Sequence, residues 1–303
     1  MTRDRQLIGV YVVGGSLIAI FQRFLTFSLD SFTINAGRFV AGSATLLLLA
    51  LIFRRAELRA LLRRPDQMRN IAILAVLGFI PQILYVEGLA RTSAVVSSFI
   101  GLLGLPLSIA LAVAIFPDER QAVRGPGFAL GALLAVGATV GLALGQGDLT
   151  LEYSTGVLFT FAGTVIGVAM GLLIKRLVIT SDPLCVSGMV TTFSAVLFVA
   201  ATLVWGDSGS ILSAPPLTIL VLFGSGAYGL LIGGAVYTLI IKRSGLVIAR
   251  FADLAMPVFT GLFGLVLFDE RLTPLQVIFG AVLLVGCSLV LTRRGSAAIS
   301  LDA

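Results

Sequence analysis

Histidine is absent from all 303 residues, so no imidazole titrates near neutral pH and any proton-coupled step falls to a carboxylate. Only two cysteines occur, Cys185 and Cys287. Both sit in long apolar runs, which makes them small buried hydrophobes and excludes a disulfide framework or a metal pair. Charged residues make up 12% of the chain, against about 25% in a soluble domain. No His-Glu-x-x-His, Walker or Gly-x-Ser-x-Gly sequence is present, so neither nucleotide-driven work within this chain nor hydrolysis has support. We expect no catalytic residue, metal or cofactor.

What fills the chain instead is apolar: 58% of residues are hydrophobic and the mean hydropathy is +1.07. A membrane span needs roughly 20 such residues at about 1.5 Å rise each. Ten stretches qualify: about 7–29, 32–53, 71–91, 93–116, 126–145, 153–174, 183–205, 217–241, 246–268 and 275–292. The expected fold is therefore all-α, ten helices in a membrane, with little left for a soluble domain. The first stretch exceeds the apolar part of a signal peptide and no small-residue cleavage site ends it, so it reads as a span.

The net charge is +6, and its placement is topological. With the N-terminus inside, sixteen of the 21 basic residues fall on inner segments, Arg91 and Arg271 fall outside, and Arg23, Arg38 and Arg250 lie within spans. That asymmetry places both termini in the cytoplasm and the chain in the inner, cytoplasmic membrane. Spread over six short segments without aromatic interleaving, these charges exclude a nucleic-acid partner. Residues 54–70 form the longest inner connection, where arginines flank Leu58, Leu61 and Leu62 ahead of Pro65, a composition suited to anionic lipid headgroups.

A shift of 151 residues lays the chain on itself: Pro106 meets Pro257, Asp118-Glu119-Arg120 meets Asp269-Glu270-Arg271, Arg91 meets Lys242, Ser93 meets Ser244 and Gly78 meets Gly229. Two units follow, 1–147 and 148–303, each of five helices. Five is odd, so the second enters the membrane from the opposite side and the repeat is inverted. The repeated acidic-acidic-basic triplet stands at span boundaries, where charges end helices. Gly163, Gly167 and Gly171 recur every four residues on the sixth span, the spacing of close helix packing. Gly224-Ser225-Gly226-Ala227-Tyr228-Gly229 matches the dinucleotide-binding pattern but lies inside an apolar span with no strand before it, and reads as a false match.

Inverted-repeat membrane proteins expose backbone polar groups where paired helices are interrupted by Gly or Pro. Here the third and eighth spans carry Gly78 and Pro81 against Gly229 and Gly233-Gly234, and the fourth and ninth carry Pro106 against Pro257. Gln82 and Tyr85 share a helix face with Gly78, three and four residues apart. Tyr228 and Tyr237 on the eighth span could face them, offering hydroxyls and ring faces; interfacial belting is the competing role, stronger for Tyr237. Charges inside spans cost about 2.5–3.5 kcal/mol each, so Glu87 is expected to pair with Arg38 or Arg23 around an outer vestibule. Arg250 and Asp253, three apart near the inner start of the ninth span, form either a structural ion pair or a substrate contact.

The run Tyr85 to Ser93 (YVEGLARTS), Arg38 early in the second helix, Pro106 with Glu119 and Pro257 with Glu270 resemble the EamA-type, ten-helix exporters of the drug/metabolite transporter superfamily. The resemblance covers nearly the whole chain. Two departures stand out: Glu87 where such exporters carry a small apolar residue, and Met189 at the second-half counterpart of Arg38. The resemblance implies outward secondary transport by alternating access of a small-molecule substrate, an amino acid or related metabolite first, around a site between the third, fourth, eighth and ninth helices. The alternatives are a multidrug or cationic-compound exporter and a membrane scaffold. Monomer and homodimer both remain open.

Overall fold

In a computed structural model the backbone is described for residues 2–104, 106–107, 111, 126–144, 151–207, 209–253, 255–269 and 273–299. Among these, every regular element is helical. In chain order they are α1 (Thr2–Leu25), α2 (Ser31–Phe53), α3 (Arg55–Leu62), α4 (Pro65–Arg91), α5 (Ala94–Gly101), α6 (Pro126–Leu144), α7 (Leu151–Thr180), α8 (Pro183–Trp205), α9 (Ser210–Ser213) and α10 (Pro216–Leu230), then a π-helical turn (Leu231–Val236), α11 (Tyr237–Asp253), α12 (Met256–Phe268) and α13 (Pro274–Ile299). Each of the ten expected spans overlaps described helix, the fourth only in part, and α3 and α9 are short connections. The protein is an all-α membrane protein of two inverted five-helix repeats.

Helix starts follow from local chemistry. Asp30 caps α2, its Oδ1 accepting from the backbone N–H of Phe32 at 2.9 Å and of Thr33 at 3.0 Å. Asp182 caps α8 in the same way, taking Leu184 at 3.0 Å and Cys185 at 3.2 Å. Pro65, Pro183 and Pro216 stand in first turns, where a missing N–H costs nothing. On the apolar helices, side chains such as Leu203 and Val266 are more than 70% exposed; hydrocarbon, not water, is the solvent for that face.

α8 sits between α2 and α4, with the ring of buried Phe198 4.7 Å from those of both Phe39 and Phe79. α2 and α8 are joined at both ends. Asp207, just past α8, donates its N–H to Asp30 Oδ2 at 3.1 Å, while Arg54, just past α2, meets Asp182 Oδ2 at 3.4 Å. α2 also crosses α10 along small residues. A Cβ on Gly37 would sit 2.7 Å from Leu222, and one on Gly226 would lie 2.6 Å from the Cα of Arg38. Only glycine allows that approach, which gives the false dinucleotide pattern its actual role; the whole motif is helix.

Three boundaries differ from the sequence reading. The eighth span does not stop near residue 241: the helix passes through Arg243-Ser244-Gly245 and ends at Asp253, since no proline intervenes between Tyr237 and that point. In the first half, Ser93 stops the equivalent continuation by capping α5 through a 3.1 Å bond from Val96 N–H. Pro257 is consequently in the first turn of α12 rather than mid-helix, and a turn at Leu102–Leu103 likewise precedes Pro106. On α3, Leu58 and Leu61 are buried against the protein core while Leu62 is half exposed, so the amphipathic face is satisfied by protein. Asp118-Glu119-Arg120 and Glu270-Arg271 lie outside the described residues; Asp269 ends α12 in the left-handed region at φ 52°.

Candidate substrate cavity

The middle of the fold encloses a cavity of about 560 Å³, within the size range of small-ligand sites. Its walls come from both repeats: α1, α2 and α4 from the first, α7, α8, α10, the π-helical turn and α11 from the second, with Met256 of α12 at the rim. None of the described lining belongs to the fourth helix, whereas the first, second and seventh spans all contribute to it.

Two helices are interrupted beside it at repeat-related positions. Pro81 lacks the N–H that would bond the carbonyl of Leu77, four residues earlier. The residue 151 positions on is Ile232, which lies within the π-helical turn. There the N–H of Tyr237 reaches back five residues to the carbonyl of Ile232. One repeat thus interrupts its third helix with proline and the other with Gly233-Gly234 and a widened turn. Gly78, Pro81, Gly229, Gly233 and Gly234 all line the cavity; Pro106 and Pro257 are buried outside it. The glycine row on α7 divides by role. A Cβ on Gly163 would lie 3.1 Å from the carbonyl of Pro81, whereas Gly167 has nothing within 4 Å and opens into the cavity.

Arg38 is the largest fully buried side chain, 2% exposed, and its Nε and Nη1 have no hydrogen-bond partner. Gln22 on α1 is 1% exposed with its Nε2 likewise unpartnered. Both line the cavity. Buried donors left unmatched cost about 1–3 kcal/mol each, more for a charge. Gln82 and Tyr85 line the same region. Lower on α8, Ser187, Thr191 and Ser194 face the cavity, and Ser187 Oγ donates to Thr238 Oγ1 at 3.3 Å.

At the far end, the Tyr11 hydroxyl donates to Asp253 Oδ1 at 2.9 Å, and the Tyr11 and Tyr237 rings stack with centroids 5.4 Å apart. All three residues line the cavity. Tyr237 is therefore a wall of the cavity. Tyr228 is not among the lining residues; it packs edge-on against Phe21 at 6.1 Å and closes over Gly14 on α1. Asp253 lies at the C-terminal end of α11 rather than at the start of the ninth span, so no helix N-terminus of its own stabilises its carboxylate. The side chain of Arg250 lies outside the described residues.

The expected vestibule pairing is replaced by another arrangement. Glu87 is bonded to Arg91, one turn on along α4, and to Ser31 Oγ of α2, not to Arg38 or Arg23. Arg23 caps the end of α4, its Nη1 donating to the carbonyls of Leu89 at 2.6 Å and Ala90 at 3.1 Å, where the helix C-terminus favours a cation. Met189, opposite Arg38 by the repeat, packs into an apolar cluster.

A helical membrane fold with a central, mostly apolar cavity walled by both repeats is the architecture of an integral membrane transporter. The chain belongs to the EamA-like transporter family, whose model matches residues 7–144 and 154–292. An "Uncharacterized transporter" from Haemophilus influenzae is 27% identical over 303 residues, 97% of this chain and 99% of that protein. A solved crystal structure shares the fold with a TM-score of 0.65 at 21% identity, covering 95% of this chain and 96% of its own.

Proposed function

We propose that the protein is a secondary carrier that exports small metabolites, amino acids first among them, across the cytoplasmic membrane by alternating access around the central cavity. In this reading the two units meet between Gly147 and Asp148, both termini face the cytoplasm, and Arg38, Gln82, Tyr85, Tyr237 and Asp253 contact substrate. The observation that carries it is the pair of buried, unpartnered donors on Arg38 and Gln22 at a cavity walled by both repeats. A carboxylate is the commonest metabolite group that satisfies a guanidinium fork. Export of cationic compounds is the second reading, favoured by the Tyr11–Tyr237 stack beside Asp253. Arg38 weighs against it, since a like charge in a low-dielectric site repels a bare cation.

Proteoliposomes loaded with a panel of amino acids and cationic dyes, followed for efflux with and without a pH gradient, test this. Efflux of at least one amino acid is expected. Movement of dyes alone would replace the first reading by the second, and no movement of any solute in several lipid mixtures would remove both.

A further inference from the structure

A second pocket, of about 380 Å³, lies where α3 and the start of α4 meet the α7–α8 turn and α11. Four walls of the central cavity run on into it. The lining passes on α4 from Leu74 to Gln67, on α7 from Ile174 to Ser181 in the turn, on α8 from Val186 back to its cap Asp182, and on α11 from Thr238 to Lys242. Steps of four and seven residues keep to one helix face. At about 1.5 Å per residue they set the pocket about 6–10 Å beyond the cavity's end. Ile71 and Leu177 stand between, each three residues from the cavity lining and four from the pocket lining along the chain. They are 0% and 6% exposed and belong to one apolar cluster, which closes the way.

The pocket is also fastened. Lys242 Nζ donates to the carbonyl of Ser181 at 2.9 Å and Ser181 Oγ donates to Gln67 Oε1 at 2.7 Å, tying α11 to the α7–α8 turn and the turn to α4. The 151-residue repeat puts the counterpart at the other end of α4, where Arg91 answers Lys242 and Ser31 answers Asp182; there Glu87 is bonded to both Arg91 and Ser31. Glu87 itself is answered by Thr238, which accepts from Ser187 instead. The end at Arg91 is thus held by opposite charges, whereas the end at Lys242 rests on an exposed ammonium and a neutral carbonyl, the weaker bond. We propose that this pocket is the substrate's entrance on the face that carries the N-terminus, opened when Lys242 leaves Ser181 and the side chains of Ile71 and Leu177 part. The proposal rests on the carrier reading above and adds the route to it. Arg64 and Lys242 together with Glu57 give the pocket both signs of charge, which suits the two ends of a small zwitterion.

Thiol labelling in membrane vesicles of the full chain tests the route. With Cys185→Ala and Cys287→Ala as background, Ser187→Cys places a reporter on the central cavity wall. The membrane-impermeant anion sulfonatoethyl methanethiosulfonate is added to one face at a time, the face with the N-terminus being identified by a tag there. Lys242→Met and Leu177→Ala are each expected to speed labelling from that face at least about tenfold, the factor that losing one hydrogen bond to a charged group produces. The rate from the opposite face should stay within about twofold of its starting value. No gain from the N-terminal face in Lys242→Met, or a gain from the opposite face in either variant, would overturn the proposal. Should Leu177→Ala not reach the membrane, Lys242→Met, at an exposed position, decides alone. Labelling needs no transported solute, so the carrier reading fails separately, on the efflux panel.

Discussion

The Cβ that alanine would add at Gly229 falls 2.9 Å from Nη2 of Arg38, so the glycine on α10 is the space in which the guanidinium of α2 lies. Three residues earlier, the Cβ of an alanine at Gly226 would fall 2.6 Å from the Cα of the same arginine. The first contact is with the end of a long side chain and the second with main chain. Gly229→Ala should therefore displace the guanidinium and slow transport about tenfold or more with little loss of stability. Gly226→Ala should separate the helices at a cost of about 1–3 kcal/mol. Thermal melting in detergent beside uptake rates distinguishes the two.

Arg38→Met keeps most of the volume and removes a buried, incompletely bonded charge. Replacing such a charge by an apolar side chain is neutral or stabilising by about 1–4 kcal/mol. The variant should melt at or above the wild-type temperature while substrate flux falls about a hundredfold, two charge-assisted hydrogen bonds being worth about 3 kcal/mol or more. A clear fall in melting temperature would assign Arg38 a structural role instead.

Glu87→Gln should change flux by less than about twofold, because Glu87 is committed to Arg91 and Ser31 and stands away from the cavity. Its cost is expected in stability, about 0.5–1 kcal/mol for a half-exposed pair on one helix. Denaturation midpoints check the second expectation and counterflow the first.

Pro81→Ala returns a donor to the carbonyl of Leu77 and straightens α4 beside the cavity. Stability should rise by up to about 3 kcal/mol, the cost of an interior proline, and flux should fall with the loss of the bend. Equal gains in melting temperature and activity would show that the bend has no part in transport.

Much of this site is legible in the residues because its determinants are local. Proline and glycine punctuate helices wherever they stand, so Gly78, Pro81, Gly229 and Gly233 mark the cavity wall directly from sequence. Arg38 is visible because a charge inside an apolar span demands explanation. Glu87 pairs with Arg91, four residues on at the spacing where helix side chains meet, and that local signal outweighs a pairing with the more distant Arg38 or Arg23. Gln22 and the α8 row Ser187, Thr191, Ser194 also carry readable signals, a lone amide in an apolar span and a polar stripe at helical spacing. The Tyr11–Asp253 bond could not be read, since 242 residues separate its partners and only the packing of α1 on α11 joins them.

The two tethers between α2 and α8, Asp30 with Asp207 and Asp182 with Arg54, carry a mechanical consequence. Each is a solvent-accessible polar contact worth about 1 kcal/mol. The helix pair is thus held like a bar by two equally weak clasps, one at each face of the membrane. Releasing either clasp makes the other the fulcrum. Neither face is favoured by this joint, so any bias toward opening on one side has to come from contacts other than these two.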